Sequence, residues 1–230
     1  MIKLAVFDHD MTIVDSSYAI MAGFNYVAEH EGLPLVSHEL TMKYIATPIP
    51  TFCEGLLGDY RPEWIKLYRS QSKRLEQELI RPYPDTVPTL KCLREMGLKL
   101  AVLSNREHPS SVLRNTGLDV YFDAIVGAEE PYGKLPYKPD PAMMNALMSH
   151  MNISPSETVY VGDADLDIVT ALSAHVRGIG ITKANFTHED FRLLGAWKSI
   201  DNLSELIEIV EQDSICLQPR ECLRGSCGLR

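Results

Sequence analysis

A chain of 230 residues, 45% apolar and 23% charged, has an ordinary globular make-up and is long enough for a large domain carrying an insertion. Its formal net charge of −9 argues against nucleic acid as a partner, because phosphate backbones select basic surfaces. No apolar run approaches the roughly 20 residues of a membrane span, and no basic and apolar leader opens the chain, so the expected setting is cytoplasmic, with no membrane partner.

Ile2 to Phe7 is an apolar run that predicts a buried parallel strand. It ends at Asp8 and Asp10, which strand alternation places on one side, with His9 opposite as a packing residue. Ligand sites in open α/β sheets lie at the carboxyl ends of strands. Two carboxylates there repel each other unless a cation or a shared proton relieves them, and Mg²⁺ is a hard ion suited to oxygen ligands. From Tyr18 to His30 the apolar spacing becomes helical, and further helices are predicted over Ser37–Ala46, Thr51–Leu57 and Pro62–Leu79. No strand interrupts residues 17–80, so this block reads as an inserted helical cap. Arg81-Pro82-Tyr83-Pro84-Asp85 reads as the extended return linker.

Strands and helices then alternate. Strands are predicted at Leu98–Leu103, Ala124–Val126, Thr158–Val161 and Val176–Ile181, and helices between and after them, the last over Leu203–Glu211. With the first strand, this gives an α/β core of about five parallel strands, doubly wound, over residues 1–16 and 81–211. Residues 212–230 show little periodicity and read as a flexible tail. Five cysteines at irregular spacing suit free thiols better than a disulfide framework. Polar groups recur at the strand ends: Asp8 and Asp10, then Ser104 and Asn105, then Lys138 in the following loop, then Asp163 and Asp167. In a parallel sheet these ends share one edge, and together they supply the groups that phosphoryl transfer needs.

In order and spacing, Asp8-His9-Asp10-Met11-Thr12, Ser104-Asn105, Lys138-Pro139-Asp140-Pro141 and Gly162-Asp163-Ala164-Asp165-Leu166-Asp167 resemble the four motifs of the haloacid dehalogenase superfamily. The position of the helical block resembles its phosphoglycolate phosphatase-like members. The resemblance implies that Asp8 attacks phosphorus to form an aspartyl-phosphate and that Asp10 serves as acid and base. It implies a Mg²⁺ cofactor held by Asp8, Asp10 (through its carbonyl), Asp163 and Asp167, the last also a candidate to orient Lys138. Asp165 is a lower-ranked rival ligand, and Lys134 a lower-ranked rival to Lys138. Lys138 would balance charge on the transferring group, while Ser104, Asn105 and Thr12 would bind phosphate. Met11 stands where the family usually has Gly, which puts the turn after Asp10 in doubt.

The implied function is a Mg²⁺-dependent phosphatase acting on a small phosphorylated metabolite. A sugar phosphomutase keeps the same motifs, and a catalytically silent binding module is the alternative of a different class. For the leaving group, the loop from Tyr44 to Pro50 is the expected reader through Tyr44 and Thr47, with Arg106 next. Monomer and homodimer are both open.

Overall fold

A computed structural model describes residues 1–216. Most of the expected tail, with Cys222 and Cys227, lies outside the described residues. In chain order, β1 (Leu4–Phe7) turns into β2 (Val14–Asp15), and four helices follow. These are α1 (Ser17–Glu31), α2 (His38–Tyr44), α3 (Ile49–Leu57) and α4 (Pro62–Leu79). The chain returns through β3 (Arg81–Pro82), α5 (Thr86–Glu95), β4 (Lys99–Leu103), α6 (Pro109–Thr116), β5 (Ala124–Val126) and α7 (Ala142–Met151). It continues with β6 (Thr158–Gly162), α8 (Asp165–Ser173), β7 (Arg177–Ile181), α9 (His188–Leu194), β8 (Lys198–Ile200) and α10 (Glu205–Cys216).

The main sheet has six strands in the order β5-β4-β1-β6-β7-β8, and every pairing in it is parallel. β1 therefore sits between β4 and β6, which brings the ends after Phe7, Leu103 and Gly162 side by side. Side-chain alternation divides β1 between two core layers. Ala5 and Phe7 join one layer with Leu90, Leu93 and Leu206. Leu4 and Val6 join the other with Met143, Leu147 and Ala171. A strand buried on both faces has no use for polar residues until it ends, so the apolar run stops where the site begins.

Three expectations are corrected. The sheet has a sixth strand, β8, which continues the edge beyond β7. The return segment is more than a linker: Arg81 and Pro82 pair antiparallel with Asp15 and Val14, so the two chain crossings into the helical block form a small ribbon. The expected tail boundary at 212 is also too early, because α10 runs to Cys216. Asp213 on this helix accepts from the Ile2 N–H at 2.7 Å and from Arg177 at 2.7 Å. Burial pushes its carboxyl up, but Arg177 and the Ile2 N–H outweigh this and hold it below the usual range. That contribution to stability is present above the unfolded carboxylate value of about 3.9 and is lost as pH falls through the lower folded value. Asp213→Ala should lower the unfolding free energy at pH 7 by about 1–3 kcal/mol, since two donors lose their acceptor. An unchanged urea midpoint would show that α10 does not anchor the first strand.

The helical block has its own core of Phe24, Val36, Ile45, Phe52, Cys53 and Leu56, joined by Met11 from the turn after β1. α1 and α4 pack closely at Gly23, where a Cβ would fall 2.5 Å from the Tyr68 ring. α2 stops at Tyr44 because Ile45 adopts an extended backbone, φ −56° and ψ 147°. Pro50 then falls in the first turn of α3, where its missing N–H costs nothing.

Candidate active site

Asp8 follows β1 directly, and its N–H donates to Val161 on β6 at 2.8 Å. Its buried carboxylate accepts from Lys138 Nζ at 2.6 Å. The same ammonium donates to Asp167 at 2.6 Å, so one cation bridges two carboxylates from separate strand ends. Asp167 is fixed further by the Tyr160 hydroxyl at 2.8 Å and the Ala164 N–H at 3.1 Å. Asn105 holds the backbone of Lys138: its side-chain oxygen accepts from the Lys138 N–H at 2.7 Å, and its amide donates to the Lys138 carbonyl at 3.4 Å. Lys138 is buried and Lys134 is exposed, which separates the two rivals.

Asp163 completes the cluster, with ligand atoms of Asp8, Asp163 and Asp167 all within 4.8 Å of one another. Burial pushes the Asp8 carboxyl up to about 6, reinforced by Asp167 and Asp10 and opposed by Lys138. Burial raises Asp163 well above the usual range, and Asp8 and Asp167 raise it further. Three carboxylates around one ammonium leave two negative charges when all are ionised. Hard oxygen donors with that excess fit a divalent cation such as Mg²⁺, and Asp8 and Asp163 have the oxygens best placed to hold it. Asp167 is the weaker candidate, because Lys138, Tyr160 and Ala164 already occupy its oxygens. Asp165 lies outside the cluster and accepts from the Leu166 N–H at the start of α8.

Three expected phosphate and acid–base groups are engaged within the protein. The Thr12 hydroxyl donates to Asp163 at 3.0 Å, so it positions a carboxylate where a phosphate contact was expected. The buried Ser104 hydroxyl accepts from the Arg106 N–H at 3.2 Å and keeps its own hydrogen to donate. Asp10 accepts two bonds from Arg106, at 2.7 and 2.8 Å. Burial would raise the Asp10 carboxyl, but the guanidinium prevails and holds it well below the usual range. Arg106 also donates to Glu76 on α4 at 2.6 Å, so this side chain ties the helical block to the segment after β4 across the cleft. His9 is fully buried as expected of packing, yet its Nδ1 lies 3.4 Å from Asp10.

Met11 has a φ of 55° in the left-handed region, the strain that the missing glycine foreshadows. Its side chain compensates by packing into the core of the helical block. Tyr44 does not face the cleft. Its ring packs on Gly55, where a Cβ would lie 2.5 Å away. Thr47 donates its hydroxyl to the Tyr44 carbonyl at 2.6 Å. The expected polar reading of the leaving group by these two hydroxyls is therefore not what the fold presents. The cleft of about 910 Å³ above the carboxylates is walled on that side by Ile45, Ala46 and Ile49.

Residues 5–181 match the family model for haloacid dehalogenase-like hydrolases. The chain belongs to the haloacid dehalogenase-like hydrolases. Pyrophosphatase PpaX of Bacillus velezensis is 25% identical over 209 residues, covering 89% of this chain and 94% of that protein. Phosphoglycolate phosphatase of Aquifex aeolicus is 29% identical over 198 residues, covering 83% and 92%. A haloacid dehalogenase-like family hydrolase from Streptococcus pneumoniae shares the fold, with a TM-score of 0.77 at 20% identity over 91% of this chain and 98% of that one.

Within this haloacid dehalogenase-like site, two contributors went unread in the sequence. Tyr160 sits inside an apolar strand and carries no local sign that its hydroxyl reaches Asp167. Glu76 is on an exposed-looking helix and meets Arg106 only through the fold. Gly162 ends β6 because an added Cβ would sit 2.2 Å from the Asp167 carboxyl carbon. Gly162→Ala should therefore displace Asp167 and with it Lys138, lowering kcat by roughly 10–100-fold while the protein still folds. Wild-type kcat in a folded Gly162→Ala protein would show that the placement of Asp167 is not critical.

Proposed function

We propose that this hydrolase is a phosphatase that acts on small phosphomonoesters with Mg²⁺, Asp8 acting as nucleophile. The observation that supports this most is the Asp8–Lys138–Asp167 bridge with Asp163 beside it. Asp8 lies at the floor of the cleft, where its free oxygen can reach a phosphorus entering from above. Lys138 is already in contact with that carboxylate, so its charge lies close to the negative charge of the arriving phosphoryl group. Ser104 offers its hydroxyl hydrogen to a phosphate oxygen, and Asn105 keeps the Lys138 loop in place. Mg²⁺ bound by Asp8 and Asp163 would supply the remaining positive charge against the dianionic ester.

Asp10 is the acid for the leaving oxygen and then the base for water. An Asp10 carboxylate held by Arg106 is ionised and has no proton to give. Arg106 must therefore withdraw before the leaving group departs, and Glu76 on α4 already holds one arm of it. Movement of the helical block would then couple cleft opening to release of the acid.

A panel of phosphate esters tested with purified protein across a Mg²⁺ series checks this reading. Phosphate should appear free in water and not on another hydroxyl. Asp163→Asn should raise the Mg²⁺ concentration for half-maximal rate by at least about tenfold, since a hard-ion site loses a charge. An unshifted Mg²⁺ curve in this variant would remove Asp163 from the metal site, and no hydrolysis of any ester would overturn the reading.

A further inference from the structure

The helical block contains a second cavity of about 280 Å³, set back from the catalytic groups. Its walls come from α1, the loop after α2, α3 and α4, and they are apolar: Phe24, Phe52 and Ile65 line its inner part. Ile20, Ile45, Ile49 and Tyr68 line both this cavity and the catalytic cleft, so the two spaces adjoin across these side chains. Ile49 is 49% exposed at their junction, although a large aliphatic side chain gains by burial. The one polar side chain of the loop on this wall, Thr47, has donated its hydroxyl to a backbone carbonyl. Arg69 lies on the rim shared by both spaces and is the single charged residue of the cavity lining.

We propose that this cavity is a binding site for the leaving group, and that the preferred substrate is a phosphomonoester of an alcohol with an apolar body of at least benzene size. The inference rests on the phosphatase reading and names the substrate class for that same site. The argument from size is direct. An apolar cavity of about 150 Å³ accepts benzene, and this one is larger. A carboxylate, a second phosphate or a sugar would meet one cation, Arg69 at the rim, and beyond it would exchange water for isoleucine and phenylalanine walls, which is unfavourable. An alkyl or aryl group entering the same space removes apolar surface from water on both sides. The two spaces also adjoin: with the phosphate over Asp8 and Lys138, the body of the alcohol would reach the helical block by displacing the half-exposed Ile49 side chain that both spaces share.

The test is a homologous series of methyl, butyl, hexyl and phenyl phosphate, with phosphoglycolate as the small anionic comparison, each at saturating Mg²⁺. The ratio kcat/KM should rise by up to about fourfold per added methylene until the cavity is full. Hexyl and phenyl phosphate should both exceed phosphoglycolate. Ile49→Gln, a change at a half-exposed position, should bring the hexyl-to-methyl ratio down toward one. Ile20→Trp, which fills the space, should lower that ratio through KM. Calorimetry supplies a readout independent of turnover: hexylphosphonate should bind at least tenfold more tightly than methylphosphonate to the parent and not to Ile49→Gln. A flat series, a preference for phosphoglycolate, or equal binding of the two phosphonates would overturn the inference and leave the phosphatase reading standing. Failure to hydrolyse any ester in the series overturns both.

Discussion

Asp8→Asn should lower kcat by a thousandfold or more, at least about 4 kcal/mol in barrier, while the fold is retained. The amide has nearly the shape of the carboxylate but is a poor nucleophile. The substitution also removes one negative charge from a cluster whose buried carboxylates push each other's protonation upward. The variant should therefore be no less stable than the parent in metal-free buffer, and thermal unfolding measured beside the rate separates chemistry from folding. Near-parental kcat in freshly purified Asp8→Asn, with deamidation excluded by mass spectrometry, would remove Asp8 from the mechanism.

Lys138→Met should be costly in both respects. The ammonium is buried between Asp8 and Asp167, and burial, which would lower its pKa, is outweighed by those two carboxylates. Removing one partner of a buried ion pair costs about 3–5 kcal/mol, because the carboxylates that remain lose their counter-charge. The rate should fall by a further factor of roughly 10²–10³ under conditions where the variant is folded, since a preorganised charge at the reacting centre is lost. High Mg²⁺ should recover part of the stability and little of the rate. Unfolding free energy and kcat measured with and without Mg²⁺ decide this, and a stable variant with parental rate would contradict the role assigned to Lys138.

Where the sequence was legible, the reason is that burial constrains residue choice. β1, β4 and β6 lie inside the sheet, so each is an apolar run that ends abruptly, and the polar residue that follows is conspicuous. Asp8, Ser104 and Asp163 were legible for that reason, and parallel strand ends made them neighbours. β8 was not legible, because only Ile200 of its three residues is buried and an edge strand needs no apolar alternation. β2 and β3 are two residues each and pair across the whole helical block, a contact with no local signature. The tail boundary was misplaced because Asp213 reads as a solvated acid until Arg177 and Ile2 are brought against it.

The site shows the same division. Residue types and spacing pointed to Lys138 and to the acidic pair after β6, but not to which oxygens are committed. Thr12 and Asp10 both looked available, and in the fold each is engaged by a partner far along the chain, Asp163 in one case and Arg106 in the other. Arg106 was visible only as a cation just beyond Asn105. Tyr44 looked like a specificity residue because it stands at the end of a helix near two prolines. Its ring packs within the helical block, and the loop offers aliphatic side chains to the cleft in its place.

The most direct measurement is the stereochemical course at phosphorus. A phosphorothioate monoester made chiral by oxygen isotopes, hydrolysed in water of the third isotope, yields a product whose configuration reports the number of displacements. Attack by Asp8 followed by attack of water gives two inversions, so the account predicts overall retention. Overall inversion would mean that water attacks the ester directly, and would contradict the assignment of Asp8 as the nucleophile.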